Sequence, residues 1–356
     1  MSDSIQTIRV NTDPAYTVSI GGGLLVSCGA RLREIMPACH MAVITDSTVA
    51  PLYLDRVMES LQSAGFTVSS FVFPAGEAHK TLSTFSDILE FMAEQRLTRT
   101  DCVAALGGGV VGDMAGFAAA SYLRGIRYVQ LPTTVLSAVD SSVGGKTAID
   151  LKAGKNLAGA FLQPAAVLCD TDCLQTLPAA VFADGAAEAI KTGVLCDEAL
   201  FSRFEDGTLT TAPADVIARC VAYKAGVVER DEKEQNERRL LNLGHTIGHA
   251  IEKCSNYAIP HGHAVAAGLA SMARAAANLG WTDTATAERI CTCLAKNDLP
   301  TSTDYPAEEL AHAASADKKR AGSDITVVIP RAIGACELKK LPVTDLLTVI
   351  RAGLEG

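Results

Sequence analysis

The sequence predicts an α/β protein in two domains: residues 1–176 build a mostly parallel, Rossmann-like sheet, and residues 177–356 are mainly α-helical. Three observations carry this. In the first part, short β-branched runs alternate with helical periods. Strands so spaced need crossover connections, which give a parallel sheet covered on both faces. In the second part helical periods dominate. Finally, 48% of the 356 residues are hydrophobic and 20% charged, which supplies core for two domains of about 150 residues and excludes disordered and fibrous classes.

Residues 41–46 read as the first clear strand, 50–64 as a helix, 66–73 as a strand and 81–97 as an amphipathic helix. Strands at 101–106 and 127–131 follow, with an apolar helix at 113–123 between them. Helices are then expected at 179–195, 214–234, 240–254, 264–279, 285–296, 307–318 and 343–353, with one strand at 325–329. No internal repeat breaks this order, and the cleft between two domains is the default place for a site.

The net charge of -9 argues against a nucleic-acid or anionic-membrane partner. Eleven cysteines, an odd number without any CxxC pair, point to free thiols in a reducing cytoplasm. The first ten residues lack the apolar core of a signal peptide. The longest uncharged stretches, such as residues 156–169, are broken by Pro or Gly and fall short of the ~18 to 20 apolar residues of a membrane span.

Residues 107–112 read GGGVVG after an apolar strand and before a helix, which satisfies GxGxxG in the right setting. Such glycines admit a pyrophosphate to the positive end of the helix, or serve plain tight packing; both readings stand. The turn follows several β/α units, whereas a Rossmann fingerprint occupies the first. Asp46, at the end of its strand, suits either an adenosine ribose or a cap of the next helix. The run SVGGKT at 142–147 imitates a phosphate loop, but Asp140 stands where that motif needs glycine, so an ATPase is excluded. Lys146 is left as a cation in a glycine-rich loop.

Arg238, Asn242, His245 and His249 step by 4, 3 and 4, one polar stripe if the segment is a single helix, with Leu241, Ile247 and Ala250 opposite. His261-Gly262-His263 follows, and Glu188 and Lys191 share a helix face upstream. Four of the seven histidines fall within nineteen residues. One carboxylate and two imidazoles with an open position make a catalytic zinc arrangement. The spacing is not HExxH, which weighs against a metalloprotease. Cys254, Cys291 and Cys293 suit small buried hydrophobes better than ligands.

Together these segments resemble the 3-dehydroquinate synthases, a branch of the sugar phosphate cyclases. The resemblance rests on GEAHK at 76–80, the glycine turn through Asp113, LPTT at 131–134, VDSSVGGKT at 139–147 and GKN at 154–156. It continues through AEAIK at 187–191, residues 238–252, His261-Gly262 and DKK at 317–319, in the family's order along most of the chain.

The resemblance implies a dehydroquinate synthase-like fold and a cytoplasmic, homodimeric lyase of the shikimate pathway. Its substrate would be 3-deoxy-D-arabino-heptulosonate 7-phosphate and its cofactors NAD and Zn2+, with Co2+ a possible substitute. Asp46, Glu77, Lys80, Gly108, Gly109, Asp113, Thr133, Thr134 and Lys155 would contact NAD. Glu188, His245 and His261 would hold the metal, with His261 favoured over His263, where many relatives carry Glu. Lys146, Lys191, Lys224, Arg238, Asn242 and His249 would be catalytic. Asp140, Asn156 and Lys318 or Lys319 would bind substrate, and Arg124 would reach the phosphate site of a neighbouring subunit. The alternatives are a glycerol dehydrogenase-like oxidoreductase, which needs no phosphate-binding cations, a sister cyclase making 2-deoxy-scyllo-inosose or 2-epi-5-epi-valiolone, and a catalytically inert NAD-binding protein.

Overall fold

The structure, a computed structural model, describes residues 5–207, 212–316 and 324–355. It divides into two compact units, one of Met1–Leu177 with Lys224–Glu232 and one of Pro178–Tyr223 with Lys233–Gly356. Among the described residues no helix is long and apolar enough to cross a membrane.

The first unit runs β1 (Gln6–Val10), β2 (Tyr16–Gly21), α1 (Cys28–Ile35), β3 (His40–Asp46), α2 (Ala50–Ser63), β4 (Thr67–Phe73) and α3 (Leu82–Glu94). It continues with β5 (Cys102–Gly107), α4 (Gly109–Ser121), β6 (Arg127–Pro132), β7 (Lys146–Leu151), β8 (Gly154–Phe161) and β9 (Ala166–Asp170). Seven strands form a sheet in the order β1-β2-β9-β6-β5-β3-β4. Within that sheet, among the described residues, only the β1–β2 pair is antiparallel, so the expected mostly parallel sheet is present.

Alternation along the strands divides the core between two faces. Met41 and Val43 join Leu32, Val57 and Leu61 on one side; Ala42 and Ile44 join Ile88, Met92 and Met114 on the other. The β1–β2 hairpin, α1, β9 and the separate β7–β8 hairpin were not expected from the sequence. Helix α4 opens at Gly109, four residues before the expected start. Gly108 takes the extended N-cap conformation there, so the glycine turn itself becomes the first helical turn.

The second unit contains α5 (Ala179–Cys196), α6 (Glu198–Glu205), the first part of α7 (Pro213–Arg230), α8 (His245–Cys254) and α9 (His261–Asn278). After these come α10 (Thr284–Lys296), α11 (Ala307–Ala316), the hairpin of β10 (Asp324–Ala332) with β11 (Ala335–Pro342), and α12 (Leu346–Leu354). The expected helix at 240–254 is not one helix. Glu237–Asn242 form a 3-10 turn, Gly244 adopts a left-handed conformation at φ 77°, and α8 begins only at His245. The single stripe of Arg238, Asn242, His245 and His249 is therefore broken in two.

Gly244 is there for a tertiary reason. A Cβ on it would sit 2.9 Å from Val265 O and Leu269 N of α9, and one on Gly268 would sit 2.2 Å from Gly244 O. Helices α8 and α9 thus meet backbone to backbone. Gly268→Ala is expected to cost about 1–3 kcal/mol by overpacking, read as a lowered thermal midpoint. An unchanged midpoint would show that the crossing can open without penalty.

Candidate functional site

In the first unit the chain leaves β3 outward to β4 and returns to β5 on the other side, so the strand order reverses between β3 and β5. Open α/β sheets bind ligands at the carboxyl ends of strands at such a point. Asp46 ends β3 and Gly107 ends β5. Asp46 Oδ1 accepts the N–H groups of Thr48, at 2.8 Å, and Val49, at 2.9 Å, so one oxygen caps the turn into α2. Gly107 and Gly112 are packing glycines: an added Cβ would lie 2.5 Å from Val111 and 2.7 Å from Gln130. Gly108 and Gly109 are less confined, with nearest atoms at 3.2 Å, and they stand at the amide-rich end of α4.

Beside this end, the buried Lys80 donates to Asp113 Oδ2 and Asn156 Oδ1, both at 2.6 Å. Burial alone would lower the Lys80 pKa, but the charges of Asp113 and Glu77 outweigh it and hold the ammonium above its ordinary value. Burial raises the Asp113 carboxyl in turn, against the pull of Lys80. Lys155 pairs with Glu77 at 3.3 Å. The structure thus brings Glu77, Lys80, Asp113 and Lys155 together and adds Asn156, which the resemblance placed with the substrate.

Thr133 N–H donates to Gly107 O, while the Thr134 hydroxyl meets Ser137 Oγ at 2.8 Å. Lys224 Nζ donates to Asp140 twice, to its carbonyl at 2.7 Å and its carboxylate at 2.8 Å. Lys146 is exposed at the start of β7, and Arg124 sits at φ 69° in the turn after α4.

The second unit carries the metal-type group. Ligand atoms of Glu188, on α5, His245, at the start of α8, and His261, at the start of α9, all lie within 4.8 Å of one another. Glu188 Oε1 is 3.7 Å from His245 Nε2 and 3.6 Å from His261 Nε2. Both Glu188 oxygens are buried without a hydrogen bond of good geometry, although the Lys191 ammonium forms an ion pair with Oε2.

The two imidazoles are each held from behind. His245 Nδ1 faces the Leu243 carbonyl at 3.1 Å, and His261 Nδ1 faces Glu252 Oε2 at 3.3 Å. Burial, with the Lys191 charge, pushes His245 well below its ordinary pKa. His261 is raised, because its contact with Glu252 overcomes the lowering effect of burial. Two inward-facing imidazole nitrogens and an under-bonded buried carboxylate are a donor set that fits a divalent ion.

His263 stands apart from this group. Its Nδ1 is 3.0 Å from Asp184 Oδ1, and its backbone N–H donates to the same oxygen. Gly262 is needed there, since a Cβ on it would lie 1.8 Å from Asp184 O.

A cavity of about 560 Å³ adjoins the centre, lined among others by Asn242, His245, His249, Arg239 and Lys253. The His249 side chain is exposed, and Asn242 Nδ2 donates to Glu234 Oε1 at 2.7 Å. Arg238 is buried at 2% exposure, and its neighbour Arg239 lines the cavity. Lys318 and Lys319 lie outside the described residues. Glu252 and Asp184 were missed as supporting residues. The only sequence signal was their spacing, Glu252 three residues beyond His249 and Asp184 four before Glu188.

A nucleotide-type sheet and a helical unit that converges a carboxylate and two imidazoles define a class: α/β enzymes with a separate metal-ligating helical part. Family models described as 3-dehydroquinate synthase N-terminal and 3-dehydroquinate synthase C-terminal match residues 70–184 and 185–320. The chain is 44% identical over 351 residues to a 3-dehydroquinate synthase of Xanthomonas oryzae pv. oryzae, covering 94% of this chain and 95% of that one. It is 40% identical over 338 residues to one of Enterococcus faecalis, covering 93% and 94%. This chain belongs to the 3-dehydroquinate synthase family. Among solved structures it is similar to a 2-deoxy-scyllo-inosose synthase complexed with carbaglucose-6-phosphate, NAD+ and Co2+, with a TM-score of 0.85, 26% identity and coverage of 99% and 100%.

Proposed function

We propose that the chain converts 3-deoxy-D-arabino-heptulosonate 7-phosphate to 3-dehydroquinate and phosphate, by phosphate β-elimination and intramolecular aldol closure, holding NAD and a divalent ion. The observation that carries this reading is the convergence of Glu188, His245 and His261 within a chain so close to 3-dehydroquinate synthases. When bound, NAD supplies transient oxidation and re-reduction at one hydroxyl, and the ion, Zn2+ with Co2+ as a substitute, supplies Lewis acidity to oxygen.

The rest falls to the chain's own residues. The amides of Gly108 and Gly109 receive the pyrophosphate at the positive end of α4. Asp46, Glu77, Lys80, Asp113, Thr133, Thr134 and Lys155 hold the remainder of the nucleotide. Glu188, His245 and His261 hold the ion. Lys146, Lys191, Lys224 and Arg238 set positive charge against the substrate carboxylate and phosphate. Asp140, Asn156 and Asn242 orient its hydroxyls, with Lys318 or Lys319 as a further cation. His249, exposed beside two ligand rings, takes the hydroxyl proton.

Arg124 serving the phosphate site of a second copy makes a homodimer part of this reading. A cytoplasmic setting is supported by eleven free thiols. The sister cyclase is disfavoured by 26% identity against 44%.

Because oxidation and reduction cancel, the enzyme is a phosphorus–oxygen lyase. With the heptulosonate phosphate and catalytic NAD, phosphate is expected to accumulate while NADH absorbance does not. Stoichiometric NADH would instead assign the chain to the dehydrogenases, and preference for glucose 6-phosphate or sedoheptulose 7-phosphate would assign it to a sister cyclase.

A further inference from the structure

We infer that Glu252 is a positioning residue of the metal centre, a buried carboxylate that fixes the ring of His261 from behind. The inference rests on the assignment of Glu188, His245 and His261 as ligands. Glu252 lies on α8, seven residues past His245 and three past His249, so its side chain points along the face that carries both. That side chain is 2% exposed, and Oε2 lies 3.3 Å from His261 Nδ1 and 3.9 Å from His249 Nε2. The neighbouring buried positions of the helix, Ile247, Ala250 and Ile251, are apolar. A carboxylate buried among them costs stability unless polar partners face it.

The geometry gives that carboxylate a task. An imidazole that donates its Nδ1 proton to Glu252 presents a lone pair on Nε2, the atom 3.6 Å from Glu188. The partner carboxylate also makes the ring a stronger donor to an ion. His245 is oriented in the same way by the Leu243 carbonyl. One ligand ring is thus held by a backbone oxygen that no substitution removes, and the other by a side chain that one substitution alters.

The same atoms admit a competing role. Ligand atoms of His249, Glu252 and His261 also lie within 4.8 Å of one another and could hold an ion themselves. An ion bound there through His261 Nδ1 would take the atom that otherwise donates to Glu252, so the count of bound ions separates the two roles.

The test is a Co2+ titration of the metal-free full chain, followed by its visible ligand-field bands and by counting bound ions. The wild type is expected to take one ion per chain. Glu252→Gln, nearly isosteric, should still take one, about 10–100-fold more weakly and with a shifted band. Glu252→Asp, which keeps the charge on a shorter stem, should recover part of the affinity and carries the comparison alone if the Gln variant does not fold. Wild-type affinity and bands in both variants would overturn the inference. Two ions in the wild type and one in Glu252→Gln would overturn it in favour of a ligand role. A wild type that binds no Co2+ overturns the ligand assignment as well, and that outcome is read without any variant.

Discussion

Glu188→Gln is expected to lower kcat/KM by about three orders of magnitude or more, as removal of a group essential to the chemistry does, and to abolish stoichiometric metal binding. Glu188 is 1% and Lys191 3% exposed at the side chain, and the two are ion-paired. Removing the anion strands a buried ammonium, a loss of roughly 3–5 kcal/mol, so the thermal midpoint should fall together with activity. The double variant Glu188→Gln/Lys191→Met separates the two effects. It should recover much of the stability, because neutral groups replace both charges, yet recover neither metal nor turnover. A single variant that retains bound metal and turns over within twofold of wild type would remove Glu188 from the centre.

The second large effect is expected at His249. His249→Ala should lower kcat by about 10²–10⁴, the range supplied by a positioned acid or base, while metal content and thermal midpoint stay at wild-type values. The separation follows from placement: the ring is exposed and faces the cavity, and it is absent from the Glu188, His245, His261 group. Turnover unchanged in His249→Ala would exclude it from the proton pathway. Metal lost in parallel would make it a ligand.

Periodicity carried the fold class, because β3 to β6 and their helices alternate at lengths that only a parallel sheet accommodates. The β1–β2 hairpin did not show, since five- and six-residue strands with half-polar patterns give too little signal. A metal-type cluster was legible because four histidines within nineteen residues on otherwise apolar helices are costly to bury unless they hold something between them, but the choice of Glu188, His245 and His261 within it came from the family resemblance. The broken helix was not. Steps of 4, 3 and 4 fit a continuous helix as well as a 3-10 turn joined to one, and the deciding feature is contact between Gly244 and α9. That contact is tertiary and leaves only a glycine in the sequence. Glu252 was invisible for the same reason: a lone Glu on an amphipathic helix reads as solvated until its burial is seen.

The contact of α8 with α9 has one more consequence. No layer of side chains separates the two helices at Gly244 and Gly268, so the residue just before His245 is held directly against the backbone of α9, about two turns past His261. The backbones beneath the two rings, whose centroids stand 5.2 Å apart, then have little room to separate. A small ion that accepts nitrogen donors at close range suits such a spacing. A large one that wants six to eight oxygens at about 2.3–2.6 Å would have to prise the helices apart. Substituting Gly244 or Gly268 is therefore expected to disturb the Glu188, His245 and His261 group without touching any of its side chains.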